Sequence, residues 1–242
     1  MNFEYIHIGE TNSTNHWLRE HHPTGNVVVW ADYQTAGRGC GTNSWESQPG
    51  KNLLFSVLIH PTWIAASQQF QLSMAISIAL CRLLQPLLQE PAMPPVAVKW
   101  PNDIYVGNKK ICGILIENTL NGNRIRDCII GIGLNINQLN FESDAPNPIS
   151  LGQLLHRHLH RETILHDAMA QFDQLLTHWD AEAIRAAYRD LLYRKEGYHA
   201  YRDANGLFEA RLITVEDDGT LVLRDHAQQE RRYAFKEVQF VI

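Results

Sequence analysis

The segment Gly37-Arg38-Gly39-Cys40-Gly41 places three alternating glycines around an arginine. Such glycines let backbone N–H groups approach an anion closely, and the planar guanidinium of arginine binds phosphate or carboxylate through two parallel hydrogen bonds. The spacing does not match a dinucleotide-binding fingerprint, and no Walker lysine is present. The segment is therefore a candidate anion-binding loop. The alternative is a flexible loop with a solvated arginine.

Two lysine-bearing segments follow. The first, KWPND at 99–103, comes directly after an apolar strand, and its proline fixes φ and removes a backbone donor, so Trp100 and Asn102 lie at a sharp strand ending. An ordinary turn would also explain this segment, because Asn and Asp are common turn residues. The second, KKICGILIE at 109–117, reads as a strand, in which only one of Lys109 and Lys110 can enter a given site. Gly113 within it indicates close approach of a ligand or another backbone.

The segment GIGLN at 131–135 places two glycines on one face of a strand that ends in Asn135. Taken alone, this pattern favours tight sheet packing. Glycine, lysine, arginine and asparagine recur in all four segments, which together predict an anionic ligand whose identity the composition leaves open.

The composition sets the class of protein. The 242 residues are 45% hydrophobic and 19% charged, as in an ordinary folded protein, and the net charge of −5 gives no reason to expect nucleic-acid binding. The four cysteines form no Cys-x-x-Cys pair and the first residues show no secretory signal, which predicts a reduced cytoplasmic location. The uncharged stretch at 61–81 contains serines and glutamines and predicts a buried amphipathic helix rather than a membrane span.

Strands and helices alternate in the predicted secondary structure. Strands at 3–8 and 26–31 flank a helix at 14–21, and a polar loop at 32–50 is long enough to be functional or mobile. Strands are predicted at 52–60, 96–100, 104–106, 110–118 and 126–135. Beyond Pro146 and Pro148, apolar residues three or four apart predict two helices within 169–192, and from Gly197 a period of two predicts a small β domain.

These segments occur in the order found in biotin protein ligases, with Ser13-Thr14-Asn15, Gln34 and Trp45 in their expected places. The resemblance covers nearly the whole chain, and the KWPND run is specific to that family. It implies an α/β (α+β) fold: a catalytic domain at 1–194, built on a mixed β-sheet of the biotin/lipoate ligase type, and a C-terminal SH3-like β barrel at 195–242. It also implies an enzyme that uses ATP to activate biotin as biotinyl-5'-AMP and transfers the biotinyl group to a lysine of a biotin carboxyl carrier protein.

The resemblance also implies roles for individual residues. Ser13, Thr14 and Gln34 would hydrogen-bond the ureido ring of biotin, and Gly113 would leave room for that ring. The full implied biotin-binding set is Ser13, Thr14, Gln34, Gly37, Arg38, Gly39, Trp45, Lys110 and Gly113. The implied ATP-binding set is Arg38, Trp100, Asn102, Lys110 and Asn135, and the implied catalytic residues are Lys110, Arg38 and Asp103. Mg²⁺ is expected with ATP, although no dense carboxylate cluster in the sequence marks a metal site.

Two features depart from the family pattern. The loop continues with Cys40, Gly41, Thr42 and Asn43 where the family commonly has further arginines, so weaker retention of the acyl-adenylate is expected. The first motif begins by Thr11, which leaves no space before it for the DNA-binding winged helix of some relatives. This predicts a monofunctional ligase that binds no operator DNA, and a salt-sensitive, sequence-specific shift of duplex DNA would contradict that.

Two other functions remain open from the sequence. Lipoate ligases and octanoyltransferases resemble this architecture, although their acyl tunnel suits an aliphatic chain rather than a ureido ring. A non-catalytic biotin sensor would keep the pocket without the transfer, and the presence of Lys110 favours catalysis over this alternative. No membrane association is expected, and the chain is predicted to be a monomer or a homodimer.

Overall fold

The computed structural model describes residues 1–41, 43–143, 145 and 147–242. Thr42 of the glycine–arginine loop and Pro146 of the predicted break lie outside these residues. The first sheet comprises β1 (Glu4–Thr11), β2 (Val27–Gln34), β3 (Leu53–Ile59), β4 (Val96–Lys99), β5 (Asp103–Val106), β6 (Lys109–Asn121) and β7 (Arg124–Leu134).

This main sheet is mixed, as predicted. Its order is β1-β2-β3-β7-β6-β5-β4, with β1 and β2 parallel and the other neighbours antiparallel. Every residue of β3 is buried, because β3 lies inside the sheet and both faces of the sheet are covered. A strand buried on both faces reads as a continuous apolar run, which explains the sequence LLFSVLI.

Helices cover both faces of the main sheet. Helix α1 (Thr14–His21) lies on one face, where Leu18 packs with Val27, Val29 and Leu58. Helices α2 (Gln69–Leu84), α4 (Arg161–Thr177) and α5 (Ala181–Leu191) pack together on the other face, and α3 (Leu151–Leu155) is a short helix before α4. The face with the single short helix has room for a cleft.

The stretch Ala66–Leu88, which contains α2, is long and apolar enough to cross a membrane, but 72% of its most apolar window is buried inside the molecule. Within α2, residues such as Leu72, Ile76 and Leu80 belong to the main hydrophobic core. The stretch is the core helix that the sequence predicts.

The second sheet is antiparallel and separate from the first. It comprises β8 (His199–Asp203), β9 (Gly206–Val215), β10 (Leu221–Asp225), β11 (Glu230–Tyr233) and β12 (Gln239–Phe240), in the order β11-β10-β9-β8-β12. Its start matches the predicted change of period at Gly197. Closure into an SH3-like barrel and the domain boundary between 194 and 195 stay predictions.

Two strands differ from the predicted elements in ways that affect the site. Strand β2 extends to Gln34 because its parallel pairing with β1 continues through Thr11↔Gln34, so the polar loop begins later than predicted and Gln34 is fixed beside the start of α1. Within the predicted β domain, the apolar run at 235–241 forms a strand only at Gln239–Phe240, since Ala234 and Glu237 form a turn in which the Glu237 N–H donates to the Ala234 carbonyl at 3.2 Å.

Candidate functional site

A cleft of about 1420 Å³ lies between the α1 face of the main sheet and the second sheet. Of the residues proposed from the sequence, it is lined by Ser13, Thr14, Gln34, Arg38, Gly39, Trp45, Trp100, Asn102, Asp103, Lys110, Gly113 and Asn135. Residues from the second sheet close the opposite side, including Arg202, Phe235 and Lys236. The cleft therefore brings together segments that are far apart in the sequence.

Glycines form part of the cleft floor. Gly113 of β6 pairs with Gly133 of β7, so two positions without side chains lie next to each other on the same face. The indole of Trp45 covers both: a Cβ on Gly113 would lie 2.7 Å from Trp45 Cζ3, and a Cβ on Gly133 would collide with the same ring. The space that Gly113 leaves is thus filled by Trp45.

A chain of polar side chains forms one end of the cleft. The Thr14 backbone N–H and Oγ1 both donate to Gln34 Oε1, at 2.7 and 3.0 Å, and Thr14 Oγ1 lies 2.6 Å from Ser56 Oγ. Ser56 Oγ in turn donates to Asn15 Oδ1 at 2.6 Å, and Asn15 Nδ2 donates to Glu117 Oε2 at 2.8 Å. This linked set fixes each rotamer and presents both donors and acceptors, which suits a neutral polar ring.

Lys110 and Asp103 form an ion pair at the middle of the cleft. Lys110 Nζ lies 2.7 Å from Asp103 Oδ1, and both side chains are about a third exposed or less, at 31% and 26%. The Lys110 backbone pairs with the segment 147–149, because its N–H donates to the Asn147 carbonyl at 2.8 Å and its carbonyl accepts from Ile149 N–H at 2.9 Å. The backbone pairing fixes the start of the side chain, and Asp103 positions the ammonium in the cleft, where it can contact an anionic ligand.

Lys99 adds a second, partly buried cation beside this pair. Its Nζ lies 5.2 Å from the ring centroids of both Tyr105 and Phe240, and burial lowers the pKa of Lys99, although the nearby Asp103 carboxylate opposes that shift. Lys99 stands at the start of the KWPND run and was given no role in the sequence-based site.

The backbone of the glycine–arginine loop folds back on itself. Gly39 N–H donates to the Asn43 carbonyl at 2.7 Å, and Trp45 N–H donates to the Gly37 carbonyl at 2.9 Å. A Cβ on Gly37 would lie 2.7 Å from the Trp45 carbonyl oxygen, so this glycine is required for the close approach of two backbone segments. Gly37 lies behind the cleft wall rather than in it.

The guanidinium of Arg38 lies at the polar end of the cleft. Its Nη1 is 4.0 Å from Glu117 Oε1, and the same oxygen accepts a 3.1 Å hydrogen bond from Arg19. Arg38 is 47% exposed, so its head group can leave Glu117 for a stronger anionic partner.

The side-chain N–H groups of Asn135 and Trp100 both donate hydrogen bonds to backbone carbonyls of the protein. Asn135 is 2% exposed and its Nδ2 donates to the Ile149 carbonyl at 3.0 Å, while its Oδ1 has no partner among the described residues. Trp100 Nε1 donates to the carbonyl of Gly219, in the loop between β9 and β10, at 2.9 Å. Asn135 therefore offers the cleft a buried acceptor, and Trp100 joins the cleft wall to the second sheet.

The sequence profile described as the Biotin/lipoate A/B protein ligase family matches residues 6–135. This chain belongs to that family. Among curated relatives of this ligase family, a Bifunctional ligase/repressor BirA from Bacillus subtilis is 28% identical over 236 residues, covering 94% of this chain and 70% of the relative. A Biotin–[acetyl-CoA-carboxylase] ligase from Paracoccus denitrificans is 29% identical and covers 92% of this chain and 95% of its own length.

Solved structures of the ligase family share the fold. A biotin protein ligase from Aquifex aeolicus, in complex with biotin and ATP, superposes with a TM-score of 0.80 at 22% identity, covering 99% of both chains. A biotin protein ligase from Leishmania major, in complex with biotinyl-5-AMP, superposes with a TM-score of 0.67 at 22% identity and covers 96% of this chain and 98% of that one. The mixed sheet followed by a separate antiparallel sheet is therefore the ligase fold.

The hydrogen-bonded network at the polar end of the ligase cleft includes three residues that the sequence-based site does not. Ser56 is a buried polar residue in the otherwise apolar strand β3, and that isolated hydroxyl was a signal available in the sequence. Asn15 ends the Ser13-Thr14-Asn15 motif and Glu117 ends the strand motif at 109–117, but neither residue has a role in the sequence-based site. Their connection through Ser56 joins three elements that only the folded sheet brings together, so spacing along the chain could not reveal it.

Proposed function

We propose that this protein is an ATP-dependent biotin protein ligase that forms biotinyl-5'-AMP and transfers the biotinyl group to a lysine of a biotin carboxyl carrier protein. The observation that carries the proposal is the ammonium of Lys110, which Asp103 positions inside the cleft. The neutral polar network and Arg38 lie at one end of this cleft, and the buried acceptor of Asn135 is part of the cleft wall. The family membership and the relatives named as biotin ligases support the same activity.

In the first half-reaction, the carboxylate oxygen of biotin attacks the α-phosphorus of ATP and pyrophosphate leaves. Lys110 stabilises the negative charge that accumulates between the two anions, and it exchanges its contact with Asp103 for one with the phosphate. Thr14, Gln34 and Ser13 hold the ureido ring, so the carboxylate is directed along the cleft toward Lys110.

In the second half-reaction, the amine of the acceptor lysine attacks the carbonyl carbon of the mixed anhydride, AMP leaves, and the nitrogen loses a proton as the amide forms. Lys110 again stabilises the developing oxyanion. Asp103, once separated from Lys110, has a carboxylate oxygen free to accept that proton.

Mg²⁺ enters as part of the substrate MgATP. Among the described residues, no group of three or more histidine, cysteine, aspartate or glutamate side chains is placed to hold a metal. Mg²⁺ commonly keeps several waters and binds mainly through phosphate oxygens, so it needs at most one or two carboxylates from the protein. Asp103 is the site carboxylate nearest to that role.

The proposed partner is a carrier domain in the cytoplasm. Monomeric or homodimeric assembly and the lack of DNA binding remain predictions from the sequence.

The direct test incubates the protein with MgATP, biotin and a purified biotin carboxyl carrier domain, and then weighs the carrier by mass spectrometry. A mass gain of one biotinyl group that requires ATP supports the proposal. Parallel reactions with lipoate and octanoate test the other acyl groups: modification by one of these instead of biotin would contradict the biotin assignment. Biotin binding without any modified carrier would indicate a sensor.

Trp45 is expected to report ligand binding. Its indole covers the glycine floor where the biotin ring is proposed to bind, and its buried Nε1 has no hydrogen-bond partner among the described residues. Biotin should displace or re-orient this ring, so Trp45→Phe should remove most of the change in tryptophan fluorescence that biotin causes. The control is Trp63→Phe, which alters an exposed tryptophan. An unchanged biotin response in Trp45→Phe would show that the ring does not move.

Cys40→Arg should slow release of the acyl-adenylate, because it restores a cation to the loop where the family commonly has arginine. A newly placed, partly exposed cation contributes about 0.2–1 kcal/mol, which corresponds to a decrease in the dissociation rate of about 1.5- to 5-fold. Dissociation of radiolabelled biotinyl-5'-AMP from wild type and variant measures the effect. An unchanged rate would show that the loop does not contact the intermediate.

A further inference from the structure

The turn at residues 234–237 of the second sheet faces the glycine–arginine loop across the cleft. Phe235 and Lys236 line the same cleft as Arg38 and Cys40. The side chain of Lys236 reaches the loop itself: a Cβ added to Gly41 would collide with Lys236 Nζ and would lie 3.3 Å from Lys236 Cε. The second sheet therefore places an ammonium directly against the loop.

The glycine–arginine loop carries little positive charge where Lys236 approaches it. Arg38 is its only lysine or arginine between residues 35 and 50, and Cys40, Gly41 and Asn43 occupy positions where the family commonly has further arginines. An ATP polyphosphate or an acyl-adenylate phosphate lying beside this loop would meet one guanidinium from the loop. Lys236 adds a second cation from a different part of the chain.

The backbone of the turn fixes where Lys236 points. Ala234 N–H donates to Glu237 Oε2 at 2.7 Å, so the nearest carboxylate of the turn is engaged with the backbone. Lys236 has a φ of 73°, a conformation that non-glycine residues rarely adopt and that is found often at functional sites. Val238, which is 8% exposed, and the Phe235 ring, 6.3 Å from the ring of Trp100, anchor the turn on both sides.

The electrostatic surroundings leave Lys236 available. Among the described residues, no carboxylate oxygen lies within 4.0 Å of its Nζ, whereas Lys110 has Asp103 and Arg38 has Glu117. The Lys236 ammonium makes a cation–π contact with the Phe235 ring, whose centroid is 5.9 Å away. An ammonium directed into a cleft without a carboxylate partner suits an anionic ligand.

We propose that Lys236 binds a phosphate of ATP and retains the acyl-adenylate, so that the second sheet supplies the cation that the loop lacks. This inference rests on the proposed ligase function. It assigns the turn at 234–237 to the nucleotide end of the cleft and makes Lys236 a ligand-binding residue from outside the motifs. Its role is electrostatic, so an arginine at the same position should preserve it.

The test compares wild type with Lys236→Ala, Lys236→Arg and Lys195→Ala. Lys195→Ala is the charge-matched control, because Lys195 is exposed, does not line the cleft and donates to the Asp190 carbonyl. Lys236→Ala should raise the Kd of MgATP about 5- to 10-fold and speed dissociation of biotinyl-5'-AMP by a similar factor, whereas the Kd of biotin alone should not change. Lys236→Arg should restore most of the affinity, and 1 M salt should reduce the difference between wild type and Lys236→Ala.

The outcomes separate the two levels of the proposal. Wild-type protein that makes no biotinyl-5'-AMP contradicts the ligase function itself. An active wild type with equal MgATP affinity in Lys236→Ala overturns the role of Lys236. A Lys236→Ala variant that weakens biotin and MgATP equally, with no rescue by arginine and no salt dependence, overturns it as well, because that pattern indicates a structural effect of the turn.

Discussion

Lys110→Ala is expected to lower the rate of adenylate formation about 10²- to 10³-fold, the range seen when one preorganised donor to a developing negative charge is removed. The ammonium lies 2.7 Å from Asp103, and the Lys110 backbone is paired with the segment 147–149. Its loss leaves the biotin carboxylate and the α-phosphate without a fixed positive charge between them. Single-turnover release of pyrophosphate from MgATP and biotin measures the step directly.

Lys51→Ala is the matched control for Lys110→Ala. It removes one positive charge from an exposed residue that does not line the cleft, so adenylate formation should stay at the wild-type rate. Thermal unfolding followed by circular dichroism should show that Lys110→Ala remains folded, because the side chain is at the cleft surface. Adenylate formation within a few-fold of wild type in a folded Lys110→Ala would remove Lys110 from the mechanism.

Asn135→Ala is expected to raise the Kd of MgATP about 10- to 100-fold without changing the Kd of biotin. The Oδ1 atom is buried, lines the cleft and has no partner among the described residues, so it can accept a hydrogen bond from the adenine amine. Loss of a buried hydrogen bond costs about 1–3 kcal/mol, and 1.4 kcal/mol corresponds to a factor of ten. Isothermal titration with MgATP measures the change.

Asn137→Ala distinguishes ligand binding from loss of structure. Asn137 is 7% exposed and lies in the same segment, but its Nδ2 donates to the Leu159 carbonyl at 2.9 Å and its Oδ1 accepts from the Leu159 N–H at 3.0 Å. Both variants should lower the free energy of unfolding by about 1–3 kcal/mol, since each leaves a buried backbone group unpaired. Equal loss of MgATP affinity in the two variants would contradict an adenine contact at Asn135.

Local patterns in the sequence predicted the elements around the site well. Helix α1 spans Thr14–His21, as predicted, and the strands that carry Lys110 and Asn135 lie within a few residues of their predicted positions. Strand β11 has the mostly charged sequence ERRY, which shows no apolar alternation, and its pairing with β10 defines it. Sequence identifies elements with a clear periodicity, and it fails where pairing between distant segments decides the structure.

For the candidate site too, local motifs identified the residues, whereas contacts between distant segments could not be predicted. Twelve of the thirteen residues proposed from motifs line the cleft, and the exception, Gly37, supports the loop from behind. The position of Trp45 over Gly113 and Gly133 could not be predicted, because it depends on a loop crossing two strands that are adjacent only in the sheet. The approach of Lys236 to Gly41 likewise depends on how the second sheet lies against the first.

The hydrogen bond from Trp100 to Gly219 has a consequence for dissecting the chain. Trp100 is 5% exposed, so a protein cut after residue 194 would leave its indole N–H without the acceptor it now has and would remove one whole side of the cleft. In such a fragment the cleft would be open on the side that the second sheet now covers, and Lys110 would be exposed to bulk water. Water around that ammonium would weaken its attraction for phosphate, so the shortened chain would be a poor substitute for the complete one even if it folded.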